Sequence, residues 1–357
     1  MAGIAAFWRV VAVLLALGLG AACKAPAAEA PRAGAPPPSG AAAAPPASAA
    51  PAPAALQKID ICTPGVSQGF SGVAIAQHAG YFAELGLDVN IQPIQGVVCT
   101  QALSSNTVQF SGSPSTLDAI IQGVPYRILY VSQGQLGHQM AVAAHVNSWA
   151  DLRGGRIAVS ALGSPLSEGL ARDILREEGV NPDEAHFVAL GLPSNRLAGV
   201  LSGSVDAALL SAQEVPMALN QGLKTLPYKP RVSLGSPMTA TLDLVQSNPD
   251  LVQRFVKGVL MGHLLYAQRK DEALSVVARW TEAPDPAYEE QVYAIMRPTW
   301  TPDGTLSDEQ QRGVIAATRE SVKATQDFAP DEVFDFRFAR QAYQDLQAAN
   351  WHGLWPK

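Results

Sequence analysis

From residue 56 onward, short apolar runs alternate with stretches of helical period. The run 56–62 predicts a strand, 63–69 is rich in turn formers, and 71–85 reads as one amphipathic helix stopped by Gly86. Strands are expected at 87–91, 107–111 and 127–131, with helices at 97–104 and 115–122. The pattern restarts after Trp149, with strands at 156–160, 186–189 and 205–210 and helices at 165–178 and 195–201. Short strands separated by helices imply a parallel sheet covered on both faces, an α/β architecture. Residues 102–110 and 200–207 echo each other as helix end, small-residue turn and strand, which suggests two similar lobes. Beyond Asp250 the chain is mainly helical, with helices expected at 251–268, 271–280, 289–295 and 307–325.

The first 55 residues follow different rules. Arg9 is the only charge before Lys24, and residues 10–19 form an apolar run about half the roughly 20 residues a membrane-spanning helix needs. This is the pattern of a signal peptide over residues 1–22. It ends in Gly20-Ala21-Ala22-Cys23, which resembles the lipobox of bacterial lipoproteins, although Leu19 stands one step further from the cysteine than is usual. The resemblance implies lipidation at Cys23. Residues 23–55 then form an Ala/Pro-rich linker with almost nothing to bury, an extended leash between membrane and domain. The working protein is therefore expected outside the cytoplasm, in the periplasm or at the cell surface, anchored by a lipid.

About 300 residues remain, enough for one large or two medium domains with real cores. The net charge of −6 is spread without basic clusters, which excludes nucleic acid as a partner. Besides Cys23 the chain has only Cys62 and Cys99, and an oxidising compartment permits one bridge between them.

Catalytic and cofactor signatures are sparse. Gly65-Val66-Ser67-Gln68-Gly69 fits the G-x-S-x-G elbow of serine hydrolases, but Pro64 adds slack where the elbow needs a sharp turn, and the motif follows the first strand. The six histidines show no metal-ligand spacing and read as surface or helix-face residues. There is neither a P-loop nor a dinucleotide-binding turn, so no catalytic residue, metal or cofactor is expected. What recurs is small polar loops after strands. They carry Ser67, Gln68 and Phe70; Ser113 and Ser115; Gln133; Gly163 and Ser164; Ser194 and Arg196; and Ser211 and Glu214. Ser164 is placed as a helix N-cap with Pro165 as first helical residue. In open parallel sheets, ligands bind beyond the carboxyl ends of the strands. Arg196 is the one strong cation in these loops. It suits a carboxylate or sulfonate together with the helix start at Ser164, or else lies on a solvated helix face.

Residues 76–89 (AQHAGYFAELGLDV) resemble a signature of the NMT1/THI5-like family, the nitrate/sulfonate/taurine-type solute-binding proteins of ABC importers. Residues 149–159 (WADLRGGRIAV), 201–207 (LSGSVDA) and 248–257 (NPDLVQRFVK) match further family motifs. The resemblance covers about residues 57 to 345. It implies a type II periplasmic-binding fold, with two α/β lobes joined by crossing hinge strands and closing on one small-molecule ligand. Lobe one would comprise residues 56–140 and 236–357 and lobe two 141–235, with hinges near 139–146 and 231–240. It further implies a monomer that is not an enzyme and that captures a small polar or anionic organic solute for a permease and ATPase complex. The cysteine-rich run of the family's thiamine-pyrimidine enzymes has no counterpart. Two other readings fit some of these features: the same fold used as a ligand-sensing receptor, and a secreted serine hydrolase using Ser67.

Overall fold

The structure, a computed structural model, describes residues 55–163, 165–229 and 231–351. The expected signal peptide, the lipidation site at Cys23, nearly all of the linker, and Ser164 lie outside the described residues. The chain opens with β1 (Gln57–Thr63), a 3-10 turn (Gln68–Phe70), α1 (Ser71–His78), α2 (Tyr81–Glu84), β2 (Leu87–Pro93), α3 (Gly96–Ser104), β3 (Phe110–Ser111), α4 (Ser115–Ile121) and β4 (Tyr126–Gln135). Three residues later β5 (Gln139–Val142) begins a second sheet. It continues through β6 (Arg156–Val159), a π-helical turn (Pro165–Gly169), α5 (Leu170–Glu177), β7 (His186–Ala189), α6 (Pro193–Leu201), β8 (Ala207–Leu210), α7 (Val215–Leu219) and β9 (Lys224–Leu226). The chain then returns through β10 (Val232–Thr241) to the first sheet. It ends in α8 (Leu242–Ser247), α9 (Pro249–Gln268), α10 (Lys270–Trp280), α11 (Pro286–Met296), α12 (Asp308–Val322), α13 (Pro330–Val333) and α14 (Arg337–Ala348).

The two sheets share one plan. Sheet one runs β2-β1-β3-β10-β4 and sheet two runs β7-β6-β8-β5-β9. In each, three parallel strands are followed by a strand running against them, β10 in the first and β5 in the second. The chain thus crosses between lobes twice, and each crossing supplies an antiparallel strand. The echo between 102–110 and 200–207 falls on β3 and β8, which hold the same place in the two sheets.

Local departures from the sequence pattern have physical causes. The helix expected over 71–85 is two helices, because Gly80 takes a left-handed conformation (φ 80°) and ends the first. Residues 132–135, expected as a loop, are the end of β4, because β10 pairs with it as far as Val232 opposite Gln135. The helix expected at 165 begins as a π turn and becomes α-helical at Leu170. Cys62 and Cys99 are bridged, their Cα atoms 5.6 Å apart, and both are fully buried beneath the loops that end β1 and β3.

The core of lobe one is built on α9, which buries Phe255, Val256, Leu260 and Leu265 against sheet one and α1. Among the described residues no helix is long and apolar enough to cross a membrane.

Candidate functional site

Parallel strands deliver their carboxyl ends to one edge, so the loops after β1, β3, β6, β7 and β8 are where a ligand can meet backbone donors. In lobe two these loops enclose a cavity of about 110 Å3 lined by His138, Ser160, Ser167, Arg196, Leu209, Ser211 and Glu214. His138 comes from the three-residue crossing between β4 and β5, so the hinge itself forms part of the wall.

Arg196 lies on α6 and is 5% exposed. The alternative of a solvated helix face is thereby corrected: Leu197 and Val200 share the buried side of the helix with it. Its Nη2 donates to Glu214 Oε1 at 2.8 Å and its Nη1 donates to the Leu209 carbonyl. Its Nε–H is buried with no hydrogen-bond partner among the described residues. Glu214 Oε2 accepts the Ser211 N–H at 2.9 Å, which closes the loop after β8 around the ion pair. Ser167, in the π turn, accepts from Ser160 N–H and Ser160 Oγ, both at 2.8 Å, and more distantly from Ala161 N–H at 3.3 Å. Part of His138 stays accessible, yet burial of its ring and the neighbouring Arg196 charge push its pKa down to about 4.

The expected lobe-one residues are placed differently. Ser67 is half-buried, and its carbonyl accepts the Phe70 N–H and the Trp280 Nε1–H. It precedes a 3-10 turn four residues past β1, so the G-x-S-x-G motif does not form an elbow running straight from strand into helix. Gln68 is buried, its amide donating to Tyr266 Oη at 3.1 Å and to Glu289 Oε1 at 2.5 Å. Burial raises the carboxyl of Glu289 above the usual range. Phe70 packs its ring on Gly112, where a Cβ would come within 2.6 Å. Ser113 is fully buried and accepts the Ser115 N–H at 3.2 Å. Gln133 sits inside β4 opposite Gly235 and against Gly69. In lobe two, Ser194 and Gly163 are exposed, and the Gly163 N–H is held by Glu168 Oε2 at 2.9 Å.

Thus the structure gathers Arg196, Ser211 and Glu214 into one cavity, while Gln68, Phe70, Ser113 and Gln133 hold the lobe-one loops in shape. Four lining residues lay outside the sequence expectation: His138, Ser160, Ser167 and Leu209. His138, in this wall, is neither a surface nor a helix-face residue as expected, whereas His263 lies on a helix, α9, with its side chain buried in the core of lobe one. Helix α11 links the two sides. Glu289 anchors the loop after β1, and the adjacent Tyr288 donates its hydroxyl to the Gln213 carbonyl in the loop after β8. A wider hollow of about 430 Å3 lies between α10 and α11, but only residues of the segment 275–286 line it and no strand end contributes.

The chain matches the family described as NMT1/THI5 like over residues 67–273. No curated protein matches it in sequence. Among solved structures, the putative periplasmic sulfonate-binding protein SsuA of Methylobacillus flagellatus KT is similar, with TM-score 0.65 and 18% identity over 82% of this chain and 96% of its own. The alkanesulfonate-binding protein SsuA of Xanthomonas axonopodis pv. citri, bound to MOPS, gives TM-score 0.55 and 20% identity over 82% and 98%. The desulfurization enzyme DSZB gives TM-score 0.58 and 15% identity over 80% and 99%. These likenesses establish the periplasmic-binding-protein fold, which houses both binding proteins and an enzyme. With more than half of its length matched by that one description, the chain belongs to the NMT1/THI5-like family.

Proposed function

We propose that this chain is the extracytoplasmic solute-binding component of an ABC importer, which captures a small polar organic solute between its lobes and delivers it to a permease and ATPase complex. The observation that carries this reading is the cavity at the strand ends of lobe two, with the inter-lobe crossing at His138 in its wall. A ligand seated there touches the hinge and so favours one arrangement of the lobes over another, which is how binding shifts a conformational population. The division into lobe one (56–140 and 236–357) and lobe two (141–235) belongs to the same reading. So do the cleft roles of the remaining loop residues. Exposed Val66 on the loop after β1, Val97 and Val98 in the first turn of α3, and Leu162 and Leu192 on lobe-two loops provide an apolar rim suited to an organic solute.

The test is a thermal-shift screen over sulfonates, nitrate, pyrimidines and aromatic acids. A solute that binds only the folded state adds about 2.7 kcal/mol at a hundred times its dissociation constant. A saturable rise in melting temperature for at least one class is expected, and a flat response across all of them refutes solute capture.

The same proposal places the protein outside the cytoplasm on a lipid at Cys23. The Cys62–Cys99 bridge supports an oxidising compartment. Cys23→Ala is expected to move the protein from the detergent phase to the aqueous phase in a partition assay, with the melting temperature unchanged. Wild type already in the aqueous phase contradicts lipidation.

A further inference from the structure

The cavity of lobe two contains the only strong cation foreseen for this site, and that cation is already paired. Arg196 spends Nη2 on Glu214 and Nη1 on the Leu209 carbonyl, and the third ionisable group in the wall is His138. Glu168 of the π turn is paired with Arg172 at 2.6 Å. An anion entering the cavity meets the Arg196 guanidinium and the Glu214 carboxylate together. Attraction and repulsion at similar distances largely cancel, so the cost of stripping water from the anion goes uncompensated.

The hydrogen-bonding groups left over are of both kinds. Arg196 Nε–H is a buried donor without a partner among the described residues. Ser167 Oγ accepts from Ser160 N–H, Ser160 Oγ and Ala161 N–H, so its own hydrogen remains available as a donor. Ser160 Oγ donates to Ser167 and keeps its lone pairs as acceptors, and the Glu214 carboxylate accepts as well.

Resting on the solute-capture reading above, we infer that this cavity selects an uncharged polar group that both donates and accepts hydrogen bonds, such as a primary amide, a sulfonamide or the edge of a lactam ring, and that it discriminates against sulfonates and carboxylates. The Arg196–Glu214 pair sets this preference: the guanidinium supplies the oriented donor, and the carboxylate cancels the charge that would otherwise attract anions. Specificity of this kind works by rejection as much as by attraction.

Isothermal titration with two nearly isosteric probes, benzenesulfonamide and benzenesulfonate, tests it. The wild type is expected to bind the sulfonamide about tenfold or more tightly than the sulfonate. Glu214→Gln keeps an acceptor for the Ser211 N–H and releases the Arg196 charge. It is expected to gain about tenfold or more for benzenesulfonate and to lose the preference for the sulfonamide. Should E214Q fail to fold, Arg196→Gln reports the same balance with opposite sign: the freed Glu214 carboxylate is expected to bind benzamidine, which the wild type rejects. Wild type that holds the sulfonate more tightly than the sulfonamide overturns the inference while leaving solute capture standing. A folded E214Q with no gain for the sulfonate also overturns it, as does a folded R196Q that ignores benzamidine when it stands in for E214Q. Solute capture itself falls only to the broader screen.

Discussion

Gly262→Ala is expected to cost about 3 kcal/mol or more of stability and to lower the urea midpoint of the described domain sharply. The reason is the contact between α1 and α9, the tightest helix pair in lobe one. A Cβ at position 262 would stand 2.0 Å from the Gly72 carbonyl oxygen and 2.8 Å from the Ala76 nitrogen. Both are backbone atoms, so no side chain can swing aside and the two helices must separate. Separation would also loosen Phe255 and Leu260, which α9 buries in the core of lobe one. Gly72→Ala faces the same interface from the other side but meets Val259 and His263 at 3.1–3.3 Å, so a smaller loss of about 1 kcal/mol is expected. Gly313 provides the control. It is exposed inside α12 with nothing within 4 Å of a built Cβ, and Gly313→Ala is expected to stabilise by about 0.5–1 kcal/mol through helix propensity. Urea unfolding followed by circular dichroism ranks the three. If Gly262→Ala unfolds at the wild-type midpoint, the helices are not in backbone contact.

Those helices illustrate what the sequence makes legible. The apolar period of 251–268 announces a buried helix, and α9 spans Pro249–Gln268. What the period cannot say is that its glycines lie against α1, because that depends on a partner nearly 190 residues earlier. The sheets divide the same way. Strands β1, β2 and β7 are local apolar runs and read directly. Strand β4 reads too short, because residues 132–135 are extended only through pairing with β10. Nothing in that Ser/Gln/Gly stretch favours a strand by itself.

The site shows the same boundary. Small polar loops at strand ends mark its general position, because parallel sheets place those ends together. In the sequence Arg196 stays open between the cleft and a solvated helix face; the signal that favours burial is Leu197 and Val200, which lie beside it at helical spacing on the buried side of α6. Its partner Glu214 is separated from it by a whole strand and becomes adjacent only when β8 passes between them. His138 carries no local signal. It enters the wall because the β4–β5 crossing is three residues long, which is a property of topology. The family resemblance supplied the fold, but it could not tell that the Arg196 guanidinium is already paired with Glu214.

Breaking the Cys62–Cys99 bridge is expected to cost about 3–4 kcal/mol. Its closed loop spans a sequence separation of 37, and the chain-entropy account of cross-links gives a loss of that size when such a loop is released in the unfolded state. The position of the bridge adds a structural consequence. It joins β1 to α3 in a fully buried setting beneath Ser111, where β1 and β3 deliver their loops towards the cleft. Release therefore loosens the floor of the lobe-one loops without touching the Arg196–Glu214 pair in lobe two. Reductant, or Cys62→Ala with Cys99→Ala, is expected to lower the melting temperature on the order of 10 °C. Mass spectrometry of the unreduced, alkylated protein should find neither cysteine labelled. The same protein made without its first 22 residues in a reducing cytoplasm should show both labelled and the lower melting temperature. The oxidised export product and the reduced cytoplasmic one would then differ by the disulfide, by the lipid proposed at Cys23, and by the several kilocalories of stability that the disulfide contributes. Equal melting temperatures for the two forms would mean that the unfolded chain is already restrained around 62–99 by other contacts, and that the bridge serves to exclude free thiols rather than to hold the lobe together.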